Sequence, residues 1–336
     1  MLSRIQVLRN RYGRSYWKVP SGIRRRMRLS NKFGNKTDSH EVRSAKQSLI
    51  AGLHGVPIDS QSNWSLGPFR DQPGFLLLDN FNYLNMSYIE LASSSSTING
   101  STYSTLSRVD INYFHWLVES CSQLLVLRDY MVLHPQSLTI VYRHDGPSFI
   151  TDSIKLLFDG INYKLKASSG NLYMCDDLLC VVYPEYSTSI NGDTVNRIRE
   201  LLSTRVQVDV SGHQLIYVKR NVGGWRYVLN DGDLDRALMA LGFHIVQCEQ
   251  LTLAEQVGLF RNAKLIVGMH GAGLTNLMFA NRPTVIELRG AYGGDDYVRL
   301  CRALQHNHVL VYCHDQEHNI TVDIPRLIRE IKSQLL

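Results

Sequence analysis

The sequence predicts an α/β protein with two doubly wound, parallel-sheet domains in tandem, and three observations predict it. At 336 residues the chain exceeds what one hydrophobic core usually organises. From about residue 70, short apolar runs of strand length alternate with amphipathic segments of ten or so residues, the pattern of parallel βαβ units. That alternation comes in two blocks, one from 71 to 205 and a more regular one from 206 to 320. Two Rossmann-like domains facing a central cleft are the expected architecture. Apolar residues make up 44% and charged residues 20%, which excludes a disordered chain, a collagen-like fibre and a coiled coil. No apolar run approaches the 18 residues a membrane-spanning helix needs.

Residues 1–70 read as a peripheral basic arm with one short helix around the IRRRMRL run. In the first block, FLLLDN (75–80) and LTIVYR (138–143) read as buried strands, and SSSST (93–97) as a polar loop. Helices are expected over 112–131, 148–158 and 193–204, the last opened by Asp193 as its cap. In the second block QLIYV (214–218) is a strand and DLDRALMALG (233–242) a helix ended by Gly242. FHIVQ is the next strand, and TLAEQVGLFRNA a helix whose Thr252 and Glu255 fit a capping box. KLIVGM, TVIEL and HVLVYC are strands, with helices at GAGLTNLMFA and DDYVRLCRAL between them. Residues 321–336 form a last amphipathic helix, expected to pack back on the first domain.

The net charge of +6 is unevenly spread. The first 50 residues hold 13 of the 36 Lys and Arg but only Asp38 and Glu41 of the 30 acidic residues, a net +11, which leaves −5 for the rest. Such an arm suits a polyanion, and an anionic membrane face reached by residues 1–50 is the expected one. The acidic body argues against nucleic acid as a partner. Six cysteines with no CxxC pair, and a start lacking the apolar core of a secretory signal, point to a cytoplasmic protein at the inner face of the plasma membrane. The five N-x-S/T sequons, at Asn35, Asn63, Asn85, Asn99 and Asn319, are then chance.

The chemistry is expected at KLIVGMHGAGLTNLMFA, where a buried strand runs into His270-Gly271-Ala272-Gly273-Leu274 and then a helix. Open α/β sheets bind ligands at strand carboxyl ends, and a glycine turn leading into a helix N-terminus suits a phosphate. The surrounding pattern is more specific. YVKR, GWRYVLND, the LTLAEQVGLF helix, HGAGLTN and TVIEL succeed one another between Tyr217 and Glu287, and Asn112-Tyr113-Phe114-His115-Trp116-Leu117 with Glu119 lies upstream. Together these stretches, about 112–131 and 214–290, resemble glycosyltransferase family 61. The family includes N-acetylglucosaminyl and xylosyl transferases and bacterial polysaccharide-assembly enzymes.

The resemblance implies a GT-B architecture and an inverting, metal-independent transfer of a sugar from a nucleotide donor, chiefly a UDP-sugar, with no cofactor. It implies a glycan or lipid-linked glycan as acceptor, in the assembly of a surface polysaccharide such as a capsule. Carried over, Arg220, Arg226, Asn230, His270, Gly271, Ala272, Gly273, Leu274 and Asn276 are donor-binding candidates. Lys219 and Asn230-Asp231-Gly232 depart from the family's usual residues there. Without a metal, cationic side chains and backbone donors must stabilise the departing diphosphate, and arginine supplies the stronger bonds. Glu287, at a strand's carboxyl edge, is expected to accept ribose hydroxyls.

An inverting displacement also needs a base to take the acceptor's proton. His115 and Glu119 are four apart on one helix face, and His115 is favoured, with Glu119 and Asp110 as the other candidates. Trp116 suits either core packing or a sugar-stacking wall. Asp231-Gly-Asp233 and Asp295-Asp296 invite a metal reading but precede helices, where Asp caps. The histidines at 306, 308, 314 and 318 with Cys313 alternate along a strand and do not suit one tetrahedral site. The alternative is a nucleotide-sugar-binding protein without transferase activity.

Overall fold

Two sheets frame the protein in a computed structural model that describes residues 41–51, 56–58, 92–107, 109–182, 190–206, 213–221 and 226–335. The first sheet contains β1 (Glu41–Ala51), β2 (Val56–Ile58), β3 (Ser96–Ser104), β4 (Leu138–Arg143), β5 (Tyr163–Ser168) and β6 (Tyr173–Val182), in the order β2-β1-β6-β3-β4-β5. Strands β3 to β6 run parallel; β1 pairs antiparallel with β6, and β2 antiparallel with β1. The second sheet contains β7 (Leu215–Val218), β8 (His244–Val246), β9 (Leu265–Met269), β10 (Thr284–Arg289) and β11 (Asn307–Tyr312). It is wholly parallel in the order β11-β10-β9-β7-β8. A small hairpin, β12 (His314–Gln316) and β13 (Asn319–Thr321), comes next.

The helices are α1 (Cys121–Leu133), α2 (Ser148–Leu157), α3 (Gly192–Arg205), α4 (Asp231–Ala240), α5 (Leu253–Phe260), α6 (Asp296–Leu304) and α7 (Ile324–Leu335). A π-helical turn, His115–Ser120, leads into α1. The GAGLTNLMFA segment is a 3₁₀ helix, Ala272–Phe279. Local chemistry sets most boundaries. The capping box opens α5: Thr252 Oγ1 accepts from the Glu255 N–H, and Glu255 Oε2 accepts from the Thr252 N–H. Beyond α4 the chain turns through Gly242 at φ +84°, where a β-carbon would be strained. The cap of α3 is Asn191 rather than Asp193, its Oδ1 accepting from the Thr194 N–H.

Every residue of β9 is buried, as a central parallel strand covered on both faces requires. Helices α2 and α3 of the first half pack against α5 of the second, and α3 also meets α6 and the 3₁₀ helix. One apolar core therefore runs through both halves, from Trp116, Leu124 and Ile154 to Phe260, Leu274 and Leu300. A second core lies on the other face of the second sheet, where Leu234 and Leu238 of α4 pack with Val267 and Ile286.

Three expectations change. The last helix buries Leu327 and Ile331 in that second core, against the second sheet rather than the first domain, because this is where its apolar stripe finds uncovered strand. Residues 41–51, assigned to the basic arm, form the strand β1, whose Ser48, Leu49 and Ile50 are buried. The SSSST loop runs straight into β3, with Thr97 exposed and Ile98 buried. The IRRRMRL helix and the FLLLDN strand lie outside the described residues, as does most of the basic arm.

Candidate active site

Strand order places the site. The chain leaves β7 toward β8 on one side and leaves β9 toward β10 on the other, so the carboxyl ends of β7 and β9 bound a topological switch point. The two strands are paired, Val218 opposite Gly268, so the segments leaving their carboxyl ends are neighbours. Arg220 lies just past β7, and the HGAGL turn just past β9.

Arg220 lies over that turn. Its Nη1 donates to the carbonyl of His270 at 3.1 Å, and a β-carbon on Gly271 would sit 1.8 Å from the same atom. Gly271 has φ 168°, an extended conformation open to any residue, so the glycine is needed for room and not for backbone freedom. A β-carbon on Gly273 would come within 2.9 Å of Val218 Cγ1. The first hydrogen bond of the 3₁₀ helix is Leu274 N–H to Gly271 O, 2.9 Å, so the N–H groups of Ala272 and Gly273 precede the ladder and suit an anion. Arg226 stands over the Tyr292 ring, 4.6 Å from its centroid. Burial, then the charge of Arg226, lowers the Arg220 pKa, the mark of two neighbouring cations that an anion would relieve.

Behind the turn is a buried charge cluster. Glu287 is 0% exposed, and both its oxygens are taken. Oε1 meets His270 Nδ1 at 2.6 Å and Arg289 Nη2 at 2.8 Å, and Oε2 meets His308 Nε2 at 2.8 Å. Burial alone would raise its pKa, but the hydrogen bonds from His270, His308 and Arg289 hold it at about 2. The expected ribose contact is therefore replaced by a different duty: Glu287 orients His270, itself 7% exposed, and leaves Nε2 as the ring nitrogen for a ligand. Tyr297, at the start of α6, donates its hydroxyl to Gly271 O at 2.6 Å, and its ring is edge-on to both His270 and Phe114.

Three other donor-side candidates are engaged within the protein itself. Asn230 forms a pair of hydrogen bonds with the backbone of Val322 (2.9 and 3.0 Å), tying the start of α4 to the chain just past β13. Asn276 is 0% exposed; its amide donates to Gln256 Oε1 and Gly273 O, and it accepts from Tyr113. Leu274 is core. Asn276 and Leu274 thus hold the turn from within the protein, while Asn230 holds the start of α4.

On the first half, His115 Nδ1 lies 3.0 Å from Glu119 Oε1, with the two side chains 35% and 34% exposed. Burial pulls the His115 pKa down, but the hydrogen bond and charge of Glu119, with help from Asp296, outweigh it and leave it raised. Phe114, one residue earlier, touches Tyr297, which bonds Gly271, so the His115 turn comes close to the HGAGL turn. Asn112 caps this helix, accepting from the Phe114 N–H at 3.0 Å. Asp110, 1% exposed, is ion-paired with Arg143 at 2.9 Å and accepts from the Ser107 N–H. A carboxylate so buried and matched cannot reach an acceptor, which removes it as a base. Trp116 is core, its Nε1–H donating to Ser153 at 2.7 Å. Lys219 is held between Asp231 and Asp235, and Arg299 pairs with Asp295 and Asp296.

Sequence reasoning missed Tyr113, Tyr297, Arg289 and His308. Tyr113 stood inside a singled-out motif, but only the fold shows its hydroxyl crossing to Asn276. Sequence spacing offers His308 only as a metal ligand; strand register, with Glu287 opposite Leu310, is what brings it to the carboxylate.

A family model described as Glycosyltransferase 61 matches residues 113–286, slightly over half of the chain. The chain is also similar to the EGF domain-specific O-linked N-acetylglucosamine transferase of Drosophila melanogaster, 31% identical over 120 residues. That stretch is 33% of this chain and 23% of the fly protein, so the chain matches under a quarter of that relative's length.

Proposed function

The chain belongs to glycosyltransferase family 61, and on that premise we propose that it transfers a sugar from a UDP-sugar to a hydroxyl of a glycan or lipid-linked glycan, with inversion at the anomeric carbon. The observation that carries this reading is Arg220 lying over Gly271 at the switch point, with Arg226 close enough to lower its pKa. In the proposed reaction the diphosphate sits on the Ala272 and Gly273 N–H groups, between the two guanidinium groups and His270. As the sugar–phosphate bond breaks, the electron pair goes to the diphosphate oxygen. Preorganised arginines and amides then stabilise the new charge without help from a divalent ion. His115 takes the proton of the acceptor hydroxyl while that oxygen attacks the anomeric carbon from the opposite face. Glu119 orients the ring and stabilises the imidazolium that forms.

In the same reading each sheet with its helices is one domain of a GT-B pair, divided near residue 206. The basic arm holds the enzyme at an anionic inner membrane face, where the product joins a surface polysaccharide. Among the described residues no helix is long and apolar enough to cross a membrane.

The test is calorimetric titration with UDP and UDP-sugars in the presence of EDTA, beside a transfer assay. Binding with hydrolysis or transfer, and a loss of about 100-fold in turnover in Arg220→Ala, are expected. Full turnover in Arg220→Ala at saturating donor would remove Arg220 from the mechanism. Donor binding with neither transfer nor hydrolysis would favour a binding protein.

A further inference from the structure

The turn proposed to hold the diphosphate is anchored from the other half of the chain. Tyr113, on the residue pair that precedes the π-helical turn, sends its hydroxyl 2.8 Å to Asn276 Oδ1 in the 3₁₀ helix. That fixes the Asn276 amide, whose Nδ2 donates to Gln256 Oε1 of α5 at 2.7 Å and to Gly273 O at 3.1 Å. Gly273 is the residue whose N–H, with that of Ala272, opens the helix. All of these side chains are buried, and a buried hydrogen bond holds geometry because its partners have no water to turn to.

We infer that Tyr113 is a positioning residue for the diphosphate: through Asn276 it holds the Gly273 carbonyl, in the peptide directly after the two N–H groups, and so restrains their aim at the ligand. The inference rests on the reading of this turn as the diphosphate site. It also places both halves of the reaction on one rigid connection, since His115 is two residues from Tyr113 and takes its position from the same helix start. A phosphate cradle binds its ligand tightly only when its donors are fixed before the ligand arrives, which is what a support from behind supplies.

Tyr113→Phe is the mildest test, because the ring stays packed edge-on to Phe149, 5.1 Å away, and only the hydroxyl is lost. UDP binding to the full chain is measured by calorimetry, with amide exchange of a peptide spanning the turn. The expected result is a UDP Kd about tenfold higher, the factor that one good hydrogen bond is worth. Donor KM rises with it while kcat holds within about twofold, and exchange quickens across 271–275 but not in β10. A Kd and turn protection equal to wild type would overturn the inference, even with a lowered melting temperature, since that is what a merely structural bond predicts. If the wild-type chain does not bind UDP, the reading of the site itself fails and this inference with it. Should Tyr113→Phe not fold, Gln256→Met loosens Asn276 from the opposite side and must give the same weaker binding and faster turn exchange.

Discussion

Arg220 Nη1 occupies space that a β-carbon on residue 271 would need, the two points lying 1.8 Å apart. The conflict involves the far end of a flexible side chain, so Gly271→Ala can be relieved by moving the guanidinium, with the backbone left in place. We expect the variant to melt within a few degrees of wild type, yet to lose UDP affinity and turnover as severely as Arg220→Ala, about 100-fold in rate. Thermal unfolding and a donor-saturation assay on both variants check this. Normal activity in Gly271→Ala would mean that the guanidinium position does not matter.

The raised pKa of His115 gives the rate a pH signature. A general base works only when neutral, so kcat/KM should climb as pH rises through a pKa above 6.5, the ordinary histidine value. Glu119→Gln removes the anion that favours the imidazolium and should carry this acid limb to lower pH. Asp296 acts in the same direction and Arg299 against it, so Asp296→Asn should give a smaller shift of the same sign. His115→Ala should abolish the limb and cost about 10²- to 10⁴-fold. A profile unchanged in height and limbs in His115→Ala would return the base role to Glu119.

Much of the second half was legible because its strands are fully buried and its helices carry caps: LIVGM, the Thr252–Glu255 box and Gly242 all stand where periodicity and capping put them. The strand β5 was missed, since YKLKAS at a half-exposed edge shows no continuous apolar run. The site divides in the same way. A motif on a strand–turn–helix junction fixes where Arg220, His270 and Gly271 lie. It says nothing about burial, and burial is what makes Asn276, Asp110 and Glu287 supports instead of ligand contacts. Long-range partners such as Tyr113 with Asn276, 163 residues apart, leave no spacing signal at all.

Glu287 makes the charge cluster behind the turn sensitive to acid. Its pKa falls from an ordinary 4.5 to about 2, so its stabilising contribution is complete above 4.5 and is lost as pH drops toward 2. The shift corresponds to roughly 3 kcal/mol across that window. Glu287→Gln leaves Arg289 without its anion and should cost about 3–5 kcal/mol at neutral pH. Its stability should then be flat between pH 4.5 and 2, apart from other carboxylates. Denaturant unfolding of the two proteins from neutral pH down to about 2 reads both effects. Weaker UDP binding in this variant is expected to come through a misoriented His270.

His306 should set an earlier acid threshold. It is buried beside the 3₁₀ helix, with Nε2 bonding the carbonyl of Leu277 at 3.2 Å. Burial, aided by the nearby charges of Arg199 and Arg282, pushes its pKa down to about 4 against the pull of the Leu277 and Leu304 backbone. The folded protein therefore refuses a proton that the unfolded chain accepts below 6.5. Stability is complete above 6.5 and declines until about pH 4, by up to roughly 3 kcal/mol, before the Glu287 window has fully opened. His306→Gln keeps a donor for Leu277 O but cannot titrate. Its stability should hold between about pH 6.5 and 4.5, where the wild type is already weakening. Parallel unfolding curves for the two proteins across that interval would show that this imidazole takes up its proton in the folded state.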